Sequence, residues 1–336
     1  MPPPRTTAHG LRAKELVNEF PNTATKVLAR MLMTEFPSEY SDAFYAAKRI
    51  AYYRGTNGLA DRKKQNAEKP QKPPERSKPM KIPEPFSQWQ EPWQAYELKA
   101  RRVLVLSDIH MPYHDKRALE LAIEEGKKHK VDAILINGDL LDMYQASKYN
   151  KDPRQRSLAD ELSMGRQFLK DLRAEFKGCQ IVYKIGNHEE RWESLLWSKA
   201  PEILGIEAFE LREILKLKEI NVKLVADKRP IKINKLNILH GHEYHFAISN
   251  PVNAARGIYL RAKTSALVGH LHQSSEHSAA DLNGKLITCW SSGCLCDLRP
   301  SYSPINPWNH GFALVDTTGE DDFSVTNFRI HNGRML

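Results

Sequence analysis

Between positions 9 and 57 apolar residues recur at helical spacing. Val27, Leu28, Met31 and Leu32 share one face behind the N-cap candidates Asn22, Thr23 and Thr25. After Pro37, Phe44, Ala47, Ile50 and Ala51 share another, with Gly55 as a stop. The pattern predicts two or three short helices in a small unit over residues 1–59. From 60 to 85 the hydrophobic period disappears and Pro, Lys and Gln take over, which reads as an extended or disordered linker, locally stiffened at Pro73-Pro74.

From 86 to 336 short buried runs alternate with amphipathic stretches. Val103–Leu106 predicts a strand, Arg117–His129 a helix and Ala133–Ile136 a strand. A helix near Leu158–Phe176, a strand at Gln180–Ile185 and a helix through Glu189–Trp197 follow, the βαβ signature of a largely parallel sheet. Lys235–Leu239, Ala266–Val268, Lys285–Trp290, Phe312–Val315 and Phe323–Phe328 read as further strands with fewer helices between them. An α/β domain with a two-sheet sandwich inside helices is expected.

With 336 residues, the chain has room for one large domain and a small appendage, and 41% hydrophobic residues suffice for a substantial core. No apolar run approaches the roughly 18 to 20 residues that span a bilayer. The start Met1-Pro2-Pro3-Pro4-Arg5 lacks the apolar segment of a signal peptide, so a cytoplasmic protein without a membrane partner is expected. Cys179, Cys289, Cys294 and Cys296 are read as reduced structural thiols, because Cys294-x-Cys296 is tighter than zinc knuckles and has no second pair. Charge is uneven: residues 1–85 hold 16 Lys/Arg against 9 Asp/Glu, and the remainder 34 against 32. A basic appendage fits an anionic partner as well as it fits simple solubility. In Lys48-Arg49-Ile50-Ala51-Tyr52-Tyr53-Arg54 the tyrosines are read as core, while Lys48, Arg49 and Arg54 are candidates for contact with DNA or RNA.

Five polar blocks follow predicted strands, where functional loops of α/β sheets gather. They are Asp108-Ile109-His110, Gly138-Asp139 with Asp142, Gly186-Asn187-His188-Glu189, His240-Gly241-His242 and Gly269-His270-Leu271-His272. Each alone is weak. Together they bring carboxylates, an amide oxygen and imidazoles to one sheet edge, a donor set for two adjacent divalent cations and hence for a metal-dependent hydrolase.

The order and spacing of these blocks resemble the calcineurin-like metallophosphoesterase superfamily over roughly residues 100–275. The resemblance implies a four-layer αββα sandwich with a dinuclear centre. It implies that Asp108, His110, Asp139 and His272 hold one metal and Asp139, Asn187, His240 and His270 the other, with a hydroxide shared between the two. It implies that His188 protonates the leaving oxygen and that Asp142 orients it. Mn²⁺ is the leading expectation for the two ions, with Fe, Zn²⁺ or Ni²⁺ as alternatives. Arg191, His242 and His114 are candidate substrate contacts, and His245 is placed nearby; capping of the following turn is an alternative for Asp142.

In the phosphoprotein phosphatase branch the second block carries an Arg that grips phosphate, and Met143 stands there instead. The catalytic core is more similar to small bacterial and viral phosphoesterases, and the N-terminal unit resembles segments joined to such cores in phage genomes. A phosphoesterase acting on nucleic acid or nucleotides is the leading expectation. A phosphomonoesterase or protein phosphatase and a noncatalytic scaffold are the alternatives. The oligomeric state is open.

Overall fold

The structure is a computed structural model that describes residues 7–55, 82–85, 93–152, 154, 157–244, 253–319 and 321–336. Most of the expected linker, and His245, lie outside these residues. The chain divides into two compact units, Met1–Phe86 and Ser87–Leu336.

The first unit holds three helices, α1 (Ala8–Glu19), α2 (Thr25–Glu35) and α3 (Ala43–Tyr53). Leu16, Leu28, Leu32 and Ile50 close its core, with Tyr53 packed against it. Asp42 starts α3 by accepting the Phe44 N–H at 3.0 Å. Two of the three proposed nucleic-acid contacts are engaged inside the bundle. Arg49 is buried, with Nε on the Tyr40 hydroxyl and Nη2 beside His9 Nδ1, both at 3.4 Å. Arg54 donates to Thr25 Oγ1 at 2.9 Å and to the Thr23 carbonyl. Arg49 occupies a buried helix position, and Arg54 at the C-terminal end of α3 reaches the start of α2. Lys48 stays outside, its Nζ 4.4 Å over the exposed Phe44 ring.

The second unit is built on two sheets. One runs β13-β12-β11-β2-β3-β4-β5, from β2 (Arg102–Leu106), β3 (Ala133–Asn137), β4 (Gln180–Lys184), β5 (Val222–Val225), β11 (His310–Thr318), β12 (Asp322–His331) and β13 (Arg334–Met335). Strands β2 to β5 are parallel, and β11 pairs antiparallel with β2. The other runs β1-β6-β7-β8-β10-β9, from β1 (Tyr96–Glu97), β6 (Ile231–Ile233), β7 (Leu236–Leu239), β8 (Ala266–Val268), β9 (Ser275–Ala280) and β10 (Leu286–Ser291).

The period of two along β2 separates the layers. Leu104 and Leu106 face a core closed by α4 (Lys116–Lys128) and α5 (Leu158–Glu175), through Ala118, Ala122, Leu169 and Leu172. Val103 and Val105 face the other way, against Ile231, Ile238, Leu267 and Trp290 of the second sheet. Behind that sheet Val268 and Cys289 meet Ala255 and Ile258 of α8 (Ala254–Ala262). Helix, sheet, sheet and helix make the expected αββα sandwich. Two further helices, α6 (Glu190–Lys199) and the short α7 (Leu211–Ile214), follow β4. Strands β1, β5, β6, β9 and β13 and helices α7 and α8 were not read from the hydrophobic pattern; the short strands among them depend on tertiary pairing. Among the described residues, no helix is long and apolar enough to cross a membrane.

Candidate metal centre

All five polar blocks sit where parallel or adjacent strands end: after β2, β3, β4, β7 and β8. Asp108, His110, Asp139, His270 and His272 share an uncommon backbone, with φ between 50° and 62°. Left-handed non-glycine residues cost on the order of 1–3 kcal/mol each and cluster at functional sites, since only a compensating interaction retains them. Glycines make the room. A Cβ on Gly186 would lie 2.2 Å from Asp139 Oδ1, and one on Gly269 would lie 2.6 Å from Asp108 Oδ2.

On one side of the basin, ligand atoms of Asp108, His110 and Asp139 lie within 4.8 Å of one another. His272 Nε2 is 3.2 Å from Asp108 Oδ1, and His110 Nε2 is 3.4 Å from His272 Nε2. On the other side Asp139, His240 and His270 converge within 4.8 Å, and Asn187 Oδ1 is 3.1 Å from His240 Nε2. Asp139 belongs to both groups. The structure thus brings together every residue that the resemblance assigned to a metal.

The donor set fits divalent cations by a hydrogen-bond argument. The Asn137 carbonyl, which can only accept, lies 2.7 Å from His240 Nδ1, so Nδ1 carries a proton. In the neutral ring Nε2 is then a lone pair, yet it faces Asp139 Oδ2 at 3.2 Å and the Asn187 oxygen. Three lone-pair donors aimed at one point need a positive charge between them, either a proton or a metal ion. Without an ion, burial lowers His240 but the charge of Asp139 outweighs it and pushes the ring up to about 10. Asp108 likewise overcomes burial to push His272 up to about 10. Burial, then the cationic His240, push His270 down to about 4. Burial alone would raise Asp108 and Asp139, but His272 and His240 respectively lead the charges that hold them below the carboxylate range.

Beside the basin stand His188, Asp142 and Arg191. The Asp142 carboxylate is nearer His110 Nδ1, at 3.1 Å, than His188 Nδ1, at 3.4 Å. His188 Nδ1 instead donates to the Asp142 main-chain carbonyl at 2.6 Å. Asp142 therefore orients two imidazoles, His110 by its carboxylate and His188 by its main-chain carbonyl, rather than His188 alone. That leaves His188 Nε2 facing the basin, 3.8 Å from Asp139 Oδ2 and 2.8 Å from Arg191 Nη2. Burial lowers His188, the charges of Asp139 and Asp142 overcome that, and the net direction is upward.

Other candidates are placed differently. His242 is turned toward Glu190 at 2.9 Å, outside the ligand groups. His114 pairs across a β-bridge with Cys296, and its buried Nδ1 has no partner among the described residues. Met143 is fully buried, so its side chain has no place in phosphate contact. Three residues escaped the sequence reading. Glu189, taken only as a helix opener, is buried and accepts the N–H groups of Asp139, Leu141 and Gly186 and the Tyr183 hydroxyl at 2.7–3.0 Å. Glu161 accepts the Met143 N–H. Cys296, taken as structural, lies 3.9 Å from His272 Nδ1 and within ligand reach of His110. Only the block position of Glu189 and the Cys-x-Cys spacing signalled any of these.

A four-layer αββα sandwich whose strand-end loops gather two carboxylates, an amide and four imidazoles around a shared aspartate defines a metallophosphoesterase domain. The chain belongs to the calcineurin-like phosphoesterase family, whose sequence profile matches residues 101–284. The gene 54 protein of Mycobacterium phage L5 is 25% identical over 233 residues, covering 66% of this chain and 91% of that protein. The gene 54 protein of Mycobacterium phage D29 is 24% identical, covering 66% and 90%. Among solved structures, vacuolar protein sorting 29 of Cryptosporidium parvum is 15% identical, with 70% of this chain and 95% of that chain covered and a TM-score of 0.39. A dimetal phosphatase from Danio rerio is 12% identical, with 68% and 95% covered and a TM-score of 0.34.

Proposed function

We propose that this chain is a dinuclear metal-dependent phosphoesterase acting on nucleic acid or nucleotides. The carrying observation is the convergence on Asp139, where the lone pairs of His240, Asn187 and Asp139 meet and call for a positive charge that a bound metal ion would supply. Asp108, His110, Asp139 and His272 would hold one ion, and Asp139, Asn187, His240 and His270 the other. Mixed carboxylate, amide and imidazole donors suit Mn²⁺, with Fe, Zn²⁺ or Ni²⁺ as alternatives. Such a pair of ions supplies charge neutralisation at a phosphoryl group and acidifies water toward neutral pKa.

The remaining work falls to the chain. Asp142 holds His110 and His188 in fixed tautomers through its carboxylate and its carbonyl. His188 Nε2, the ring nitrogen that faces the basin, carries the proton to the departing oxygen. In the structure Arg191 donates to that same nitrogen, which suits the neutral ring. An arriving phosphoryl oxygen is a better acceptor for the guanidinium, so substrate draws Arg191 away and leaves Nε2 to be protonated. In the helical unit Lys48, Phe44 and Tyr45 remain exposed and are the residues that support nucleic-acid contact.

The test is Mn²⁺-dependent hydrolysis of a chromogenic phosphodiester and its matching monoester, with single-stranded and duplex DNA in parallel. His188→Ala is expected to lower turnover while leaving metal content intact. Monoester cleavage alone moves the assignment to a phosphatase, and no turnover of any substrate with metal bound would sink the enzyme reading.

A further inference from the structure

A loop bearing two aromatic rings rises from the edge of the metal basin. It leaves after Cys296 and returns at His310, and His310 Nε2 ties the two ends by donating to the Cys296 carbonyl at 2.8 Å. Asn306 braces the interior, its Nδ2 reaching the carbonyls of Leu298 and Ser303 at 2.8 and 2.7 Å and its Oδ1 accepting the Trp308 N–H at 2.9 Å. Asn309 Oδ1 accepts the Ser274 N–H at 2.8 Å, fixing the loop to the segment that follows His272. A compact surface loop closed by its own polar side chains holds its rings in place without burying them.

Those rings form a wall beside the ligands. Trp308 stands edge-to-face on His272, centroids 4.1 Å apart at 61°. Tyr302 stands 6.3 Å from Trp308 at 63°. Tyr302 is 65% exposed, an unusual place for a large ring next to a charged, buried basin. Burial around its hydroxyl end, then the charges of Asp142 and Cys296, push the phenol up, so it stays a neutral donor.

We infer that Tyr302, backed by Trp308, is a stacking platform for the base of a nucleoside phosphoester whose phosphate sits at the metal ligands. This rests on the phosphoesterase reading above and narrows its substrate class to nucleotides and nucleic acid strands with accessible bases. Through Trp308 the exposed Tyr302 ring stands two ring contacts, of 6.3 and 4.1 Å, from His272. Stacking of this kind tolerates any base, because every base has a π-face.

Calorimetric titration of the metal-loaded full chain with thymidine 5′-monophosphate and with deoxyribose 5-phosphate isolates the base, since the two share phosphate and sugar. Thymidine monophosphate is expected to bind roughly tenfold tighter. Tyr302→Leu should reduce that ratio to within about twofold, and Tyr302→Phe should preserve it, with metal content as the check that the basin is intact. Equal affinities in the wild type, a ratio untouched by Tyr302→Leu, or no binding of either probe would overturn the platform. Failure of the phosphoesterase reading looks different: the binding ratio and its loss in Tyr302→Leu persist while no phosphoester is turned over.

Discussion

The Glu189 carboxylate accepts the main-chain N–H of Asp139 at 3.0 Å, so the residue after His188 sets where the shared ligand stands. The same carboxylate takes the N–H groups of Leu141 and Gly186 and the Tyr183 hydroxyl, joining the loops after β3 and β4. Glu189→Ala would leave four buried donors without an acceptor. A loss on the order of 4 kcal/mol is expected in denaturant unfolding followed by tryptophan fluorescence. Glu189→Gln supplies one oxygen but sets an NH₂ against two donors, so it should recover less than half of that loss; full recovery would show that shape alone matters.

Gly186 packs its α-carbon against Asp139, where a Cβ would lie 2.2 Å from Oδ1. Gly186→Ala must push that carboxylate off the basin. Metal affinity, measured by competition with a chelator, is expected to fall about ten- to hundredfold while the far-UV circular dichroism stays native. Unchanged affinity would mean that the loops yield without moving Asp139.

Glu161 lies buried on α5, where burial pushes its carboxyl up to about 8, the Met143 N–H opposes this and the charge of Asp142 reinforces it. The folded chain therefore holds this proton more tightly than the unfolded chain, whose carboxyl has a pKa near 4.5. The sign follows from linkage: the contribution is fully present below about pH 4.5 and is lost as pH rises through about 8. Glu161→Gln cannot titrate, so its Tm is expected to fall less than that of the wild type between pH 5 and 8. Parallel Tm curves would place the pH dependence elsewhere.

Lys184 and Glu243 form a buried ion pair at 2.7 Å, with side chains 1% and 7% exposed. Glu243 also accepts the N–H groups of His240 and Gly241 at 3.0 and 2.6 Å, fixing the entry to that block. Burial would raise the Glu243 carboxyl, but Lys184 leads the groups that hold it down to about 2. Its stabilisation is complete above pH 4.5 and fades as pH falls toward 2. Lys184→Met strands the carboxylate and should cost about 3–5 kcal/mol near neutral pH. That penalty should shrink in unfolding measured at pH 3, and a penalty independent of pH would argue against the charge as its cause.

Much of the core was legible before any coordinates. The run Val103–Leu106 is apolar at every position because β2 is covered on both faces, and such runs alternating with amphipathic stretches announce a parallel sheet. Strands β1 and β13 have two residues each and carry no period of their own. The three cations of Lys48-Arg49-Ile50-Ala51-Tyr52-Tyr53-Arg54 look alike in sequence, yet Lys48 is exposed, Arg49 is buried against Tyr40 and Arg54 is held by Thr23 and Thr25. Helical phase sorts neighbours, but which acceptors a long side chain reaches depends on the other helices.

The sequence by itself marked the strands of the sandwich and, through the family resemblance, the candidate ligands, because strand ends show where apolar runs stop and the five polar blocks follow them. It could not decide what each oxygen and nitrogen faces. That Asp142 serves His110 with its carboxylate and His188 with its carbonyl, that Glu189 ties two loops, and that Cys296 and Trp308 arrive at His272 with Tyr302 beside Trp308 are outcomes of packing. Each joins residues distant in the chain through hydrogen bonds or ring contacts of a few ångströms, and such distances are set by the two sheets closing on one another.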